Sequence, residues 1–99
     1  EAKLVEKLLY EISKDNLAVY GFDKTKSAVG AGAVSDLLVT DALIKDLTAE
    51  GVFNKLNDLM KQVDKAGGVN HIISSKHDDG KKLNGLGGIA AILRYRLNN

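Results

Sequence analysis

The chain has 99 residues, with 14 Lys and Arg against 13 Asp and Glu, a net charge of +1, and no Cys or Pro. A balance this even gives no general electrostatic footprint for nucleic acid or for an anionic membrane. Without Cys there is no disulfide framework, thiolate metal site or cysteine nucleophile, and no apolar run approaches the ~18 residues of a membrane span. The length predicts a single domain, and a domain this size buries roughly 60–70% of its unfolded surface. Helical periodicity begins at once from Glu1, so the chain is read as one domain of a longer protein. The cysteine-free composition suits a reducing cytoplasm.

Leu4, Val5, Leu8, Leu9 and Ile12 make one apolar stripe of a first helix, with Lys3, Glu6, Lys7 and Glu11 on its wet side. Asp23 is the expected N-cap of a short helix running to about Val29, which Gly30 and Gly32 stop. "AVSDLLVT" reads as a buried strand bounded by Gly32 and Asp41. "DALIKDLT" carries only weak signals and is expected to be a connection. Thr48 is then the expected cap of the next helix, which carries Val52, Phe53, Leu56, Leu59, Met60 and Val63 and ends at Gly67-Gly68. "VNHIISS" follows as a strand, "DDGKKLNGL" as a short helix or turn, and "GIAAILRYRL" as the closing strand. This alternation predicts an α/β layer fold, helices covering a small mostly parallel or mixed sheet.

Gly85, Gly87 and Ala90 match G-x-G-x-x-A, the dinucleotide fingerprint. That fingerprint must follow a strand directly and open a helix. Here the preceding strand ends near Ser75, and an apolar strand-like run follows, so the glycines are read as a tightly packed entry into the last strand. His71, His77, Asp78 and Asp79 suggest a metal site, but zinc needs three or four convergent ligands, and a strand histidine and a loop histidine need not converge. Ser74 and Ser75 near His77 do not make a triad by proximity in sequence. Lys76, Lys81, Lys82, Arg94 and Arg96 are candidates for one positive face, although Asp78 and Asp79 interrupt it and few aromatics are present to stack on bases.

The segment "GGVNHIISSKHDDGKKLNGLGGIAAILRYRL" resembles the domain shared by Pelota and the archaeal and eukaryotic peptide-chain release factors. The carried pattern is Gly67-Gly68, a strand, Ser74-Ser75, His77, Gly80, Leu83, Leu86, Gly88 and Ile89 to Tyr95. Upstream, "YGFDKTKSAVGAGAVSDLLVTD" fits the same family's Tyr-Gly, short helix, Gly-Ala-Val, strand order. Release factors of this family resemble one another in a small extra subdomain after the first long strand. The short 41–48 connection here, without Cys pairs, favours the Pelota branch. The Gly-Gly-Gln tripeptide of the release factors belongs to a preceding domain, and its absence decides nothing.

The resemblance implies a three-layer α/β/α sandwich like that of kink-turn-binding ribosomal proteins, spanning residues 1–99 as a single C-terminal domain. It implies docking without catalysis: no cofactor and no metal in this domain, and a role in rescuing stalled ribosomes. The metal-dependent endonuclease activity attributed to Pelota-like proteins would lie in another domain. The implied partners are an elongation factor 1-alpha-like translational GTPase, the iron–sulfur ABC-type recycling ATPase and the ribosome, with no membrane partner and a monomeric state. In the release-factor branch the matching segment binds the GTPase, which assigns partner binding to Ile92, Leu93, Arg94 and Tyr95. His77, Lys81 and Lys82 are candidate loop contacts. Two alternative functions follow from the same pattern: a translation-termination domain, and, by analogy of fold alone, a kink-turn-like RNA-binding module.

Overall fold

The computed structural model describes residues 2–97. In chain order it contains α1 (Ala2–Ser13), β1 (Ala18–Tyr20), α2 (Phe22–Gly30), β2 (Val34–Thr40), α3 (Asp41–Ala49), α4 (Phe53–Lys65), β3 (Val69–Ile73), α5 (Asp78–Asn84) and β4 (Ile89–Leu93). The strands form one sheet in the order β1-β4-β2-β3. β4 lies antiparallel to both β1 and β2, whereas β3 is parallel to β2. The sheet is therefore mixed.

Each face of the sheet carries its own core. Leu37 and Val39 of β2 join Ile89, Ala91 and Leu93 of β4 beneath α2 and α4, whose Val29, Leu56, Leu59 and Val63 are buried there. Leu38, Ile73, Ala90 and Ile92 face the other way, onto Val5 and Leu8 of α1 and Leu83 of α5. The period-2 alternation of a strand produces this division, since neighbouring residues point to opposite faces. The architecture is the expected three-layer α/β/α sandwich.

Two elements depart from the sequence expectation. β1 has only three residues, too few to show an alternation, and it exists because β4 supplies a partner. The 41–48 connection is a helix: the buried Thr40 hydroxyl accepts a hydrogen bond from the Leu43 amide at 3.1 Å and caps α3. Thr48 therefore does not cap the next helix. It sits in the last turn of α3 and donates to the Ile44 carbonyl at 2.7 Å. Nor does Asp23 cap α2. Gly21, at φ 86°, is the N-cap residue, and Asp23 lies in the first turn, where its charge suits the helix dipole.

The strand registers define two ends of the sheet. At the carboxyl end, Thr40 lies beside Ile73, Val39 opposite Ile89, and Tyr20 opposite Ala90. At the amino end, Val34 lies opposite Leu93 and Asp36 beside Val69. A register shift between Val34 and Asp36 makes Ser35 the extra residue of a bulge. The Ser35 hydroxyl is satisfied there by the Ile92 carbonyl at 3.0 Å and an Asp36 carboxylate oxygen at 2.9 Å.

Candidate functional site

The four residues assigned to partner binding separate sharply. Ile92 and Leu93 are 1% and 4% exposed and enter opposite cores. As the last two residues of a strand covered by helices on both faces, they have no side-chain surface to offer. Ile92 and Leu93 are thus packing residues, which leaves Arg94 and Tyr95 as the two of the four whose side chains face solvent. Arg94 and Tyr95 follow the end of β4 and are exposed.

Both exposed side chains also hold the structure together. The Arg94 guanidinium donates to the Val34 carbonyl at 3.0 Å and to the Ala66 carbonyl at 2.8 Å. Ala66 is the C-cap of α4, where carbonyls lack intrahelical partners and a cation complements the dipole. The Tyr95 hydroxyl donates to the carbonyl of Ala31, the C-cap of α2, at 2.8 Å. The amino end of the sheet is therefore tied by a cation and a phenol whose outer surfaces remain open to solvent.

His77, Lys81 and Lys82 lie elsewhere. His77 precedes α5 and makes no side-chain cap bond, and Lys81 and Lys82 occupy the last turn of that helix, opposite its Asp78 and Asp79. This segment leaves the sheet at its carboxyl end, after Ile73. The five candidate cations consequently do not form one face: Lys76, Lys81 and Lys82 stand near one end of the sheet, Arg94 and Arg96 beyond the other. His71 and His77 do not converge either. The His71 Nε2 lies 2.9 Å from an Asp36 carboxylate oxygen across the parallel pair β2–β3, in a half-buried contact. Only the strand register brings these two together, so no sequence spacing announces them.

The family pattern acquires a physical meaning from backbone contacts. A Cβ on Gly68 would lie 2.7 Å from the Val34 carbonyl oxygen and 2.8 Å from a Val63 methyl. A Cβ on Gly80 would collide with the Ser74 carbonyl, and one on Gly88 would come within 2.9 Å of the Leu43 Cβ. Gly87 and Gly88 have φ of 100° and 79°, and Gly88 is joined to β2 by the Thr40 amide, which donates to its carbonyl at 2.9 Å. These glycines make a close-packed turn into β4, as the sequence suggests. Asp41 completes the same end: one carboxylate oxygen accepts from the Ala42 amide at 2.8 Å and the Ser75 amide at 2.9 Å. The Ser75 hydroxyl, then its amide, holds the Asp41 carboxyl below the usual carboxylate range.

Comparison with known proteins places this arrangement. The eRF1 domain 3 family matches residues 1–97. The protein pelota homolog of Methanocaldococcus jannaschii is 43% identical over 95 residues, covering 96% of this chain and 25% of that protein. S. cerevisiae Dom34, a translation termination-like factor involved in RNA quality control pathways and interacting with Hbs1, superposes with a TM-score of 0.90 at 33% identity, over 99% of this chain and 28% of its own. Archaeal Pelota in a model of ribosome-bound Pelota and ABCE1 superposes with a TM-score of 0.81 at 40% identity, over 97% of this chain and 26% of its own. The archaeal termination factor aRF1 shares the fold, with a TM-score of 0.72, at only 21% identity, over 95% of this chain and 25% of its own. The chain spans about a quarter of the length of the curated relatives it matches. With the glycine contacts in place and the match running over nearly all its residues, the chain belongs to the eRF1 domain 3 family, on its Pelota branch.

Proposed function

We propose that this chain is the partner-docking, C-terminal domain of a Pelota-like ribosome-rescue factor. It acts in the cytoplasm as a monomeric module without cofactor. It binds an elongation factor 1-alpha-like GTPase and the ABC-type recycling ATPase while the rest of the factor engages the stalled ribosome. The supporting observation is the likeness of nearly the whole chain to about a quarter of Pelota proteins, among them the archaeal Pelota of a ribosome-bound model with ABCE1. The interaction of the yeast neighbour with Hbs1 supports a protein-binding role of the same kind. The alternative of a termination factor draws on likeness at 21% identity, which carries the fold alone.

Arg94 and Tyr95 are the contact residues in this reading, since they are exposed and sit on one rigid end of the sheet. Arg94→Ala removes two hydrogen bonds from a charged donor, a loss of about 1.5–3 kcal/mol each at most. A domain stable by about 5–15 kcal/mol remains largely folded through that loss. Titration calorimetry with each purified partner, with circular dichroism confirming the fold, is expected to show affinity for one of them falling by about tenfold, the scale of a modest hot spot. Arg94→Ala and Tyr95→Ala variants that both bind both partners at wild-type affinity would remove this surface from the docking role. Failure of the wild-type protein to bind either partner would remove the role itself.

A further inference from the structure

The sheet is open at β1, which pairs with β4 alone. The ladder determines which β1 backbone groups are used. The Leu93 amide donates to the Leu17 carbonyl and the Gly21 amide to the Ile89 carbonyl, both at 2.9 Å, with Val19 opposite Ala91 between them. Hydrogen-bonded positions alternate along an antiparallel pair. Ala18 and Tyr20 therefore turn their N–H and C=O groups outward, and among the described residues no hydrogen bond reaches them.

These groups open into a groove of about 690 Å³. Ile12 and Asp15, at the end of α1, line one side of it, and Lys24 and Ser27 of α2 the other; Arg96 and Leu97 complete it. Edge strands are ordinarily guarded by Lys, Pro or a bulge. The sequence Ala18-Val19-Tyr20 has none of these, and its protection is its shortness and the flanking helices.

The geometry points to a strand-addition site: the β1 groove takes an extended, acidic peptide segment of a protein partner, hydrogen-bonded to Ala18 and Tyr20. An extended chain is required because a helix keeps its own backbone groups bonded internally and has none to give to the edge. Acidic character follows from the lining. Lys24 and Arg96 stand against a single carboxylate, Asp15, and among the described residues neither cation is in an ion pair. The Lys24 ammonium lies only over the Tyr20 ring, 5.7 Å from its centroid. Main-chain bonds would supply affinity, and carboxylates placed toward Lys24 and Arg96 would supply selection. The inference rests on the docking reading for the existence of a protein partner, but it uses residues other than Arg94 and Tyr95.

The test is amide hydrogen exchange, read by NMR on the 99-residue chain, with an end-capped Glu-Val-Asp-Val-Glu peptide as probe. Saturating peptide is expected to slow exchange at Ala18 and Tyr20 by about tenfold or more, because exposed edge amides become bonded. A peptide N-methylated at alternate positions should give no protection, and the Lys24→Glu/Arg96→Glu double variant should bind about tenfold more weakly. Ala18→Pro deletes an outward donor at a place where an edge strand accepts proline, and should also abolish protection. If that variant fails to fold, the N-methylated peptide carries the same test. Unchanged exchange at Ala18 and Tyr20, equal binding of the N-methylated peptide, or protection by a uridine oligonucleotide in place of the peptide would overturn the proposal. Partner binding retained with no peptide protection overturns the groove alone. Peptide protection without GTPase or ATPase binding overturns the docking reading alone.

Discussion

Gly80 lies inside α5, where glycine is otherwise a poor choice for a helix. It is there because the helix crosses the Ser74 carbonyl too closely for any Cβ. Gly80→Ala should therefore destabilise the domain by about 1–3 kcal/mol or more, the range of forced overpacking. Gly30 is the contrasting case: it ends α2 in open space, with no contact for an added methyl. Gly30→Ala should be neutral or stabilise by about 0.4–1 kcal/mol, through the unfolded chain. Denaturant midpoints of the two variants check both signs together. The sequence offers Gly30 as a helix stop but gives no local reason for Gly80, since the close approach between Gly80 and Ser74 is a property of the folded backbone. Only the resemblance distinguishes Gly80, by including it in the carried pattern. Arg94 was legible as an exposed residue in the same limited way. Its exposure follows from position after the last buried strand residue, while its two carbonyl partners, 60 and 28 residues away, leave no local trace.

At the scale of elements, long periodic segments were readable and short ones were not. α1 and α4 carry stripes of buried residues, and the sequence predicts both. α3 has no fully buried residue, and its start is hidden because Thr40 is at once the last residue of β2 and the N-cap. Besides the Thr40 cap, Asp41 ties the start of α3 to the loop before α5 by accepting from the Ser75 amide. The Ser75 hydrogen bonds lower the Asp41 pKa in the folded state. A lowered folded-state value means that the group contributes stability above its unfolded pKa of about 3.9, and that this contribution disappears as pH falls through the folded value. Asp41→Asn should thus lose stability at neutral pH and show a shallower decline toward acid than the parent. Thermal midpoints measured from about pH 6 down to about pH 3 test this, and parallel curves for the two proteins would exclude Asp41 as a contributor.

The whole molecule is two cores sharing one sheet, and β2 is where they meet: Leu37 enters the core under α2 and α4, and Leu38 the core under α1 and α5. This layering was legible from the order of helices and strands, because apolar strands alternating with amphipathic helices leave few ways to cover both sheet faces. The place of β4 between β1 and β2 was not, since strand order depends on long-range pairing. The shared sheet has a thermodynamic consequence. Leu8 and Leu56 are fully buried on opposite faces, and truncating either to Ala should cost about 2–5 kcal/mol. Residues without common partners add in their effects to within about 0.5 kcal/mol, so the Leu8→Ala/Leu56→Ala double variant should lose the sum of the two single losses. All three variants should still unfold in one transition, with far-UV and tyrosine signals coincident, because neither helical layer has a partner without the sheet. Separate transitions for the two signals would mean instead that one layer melts while the other holds, and that the sheet does not couple them.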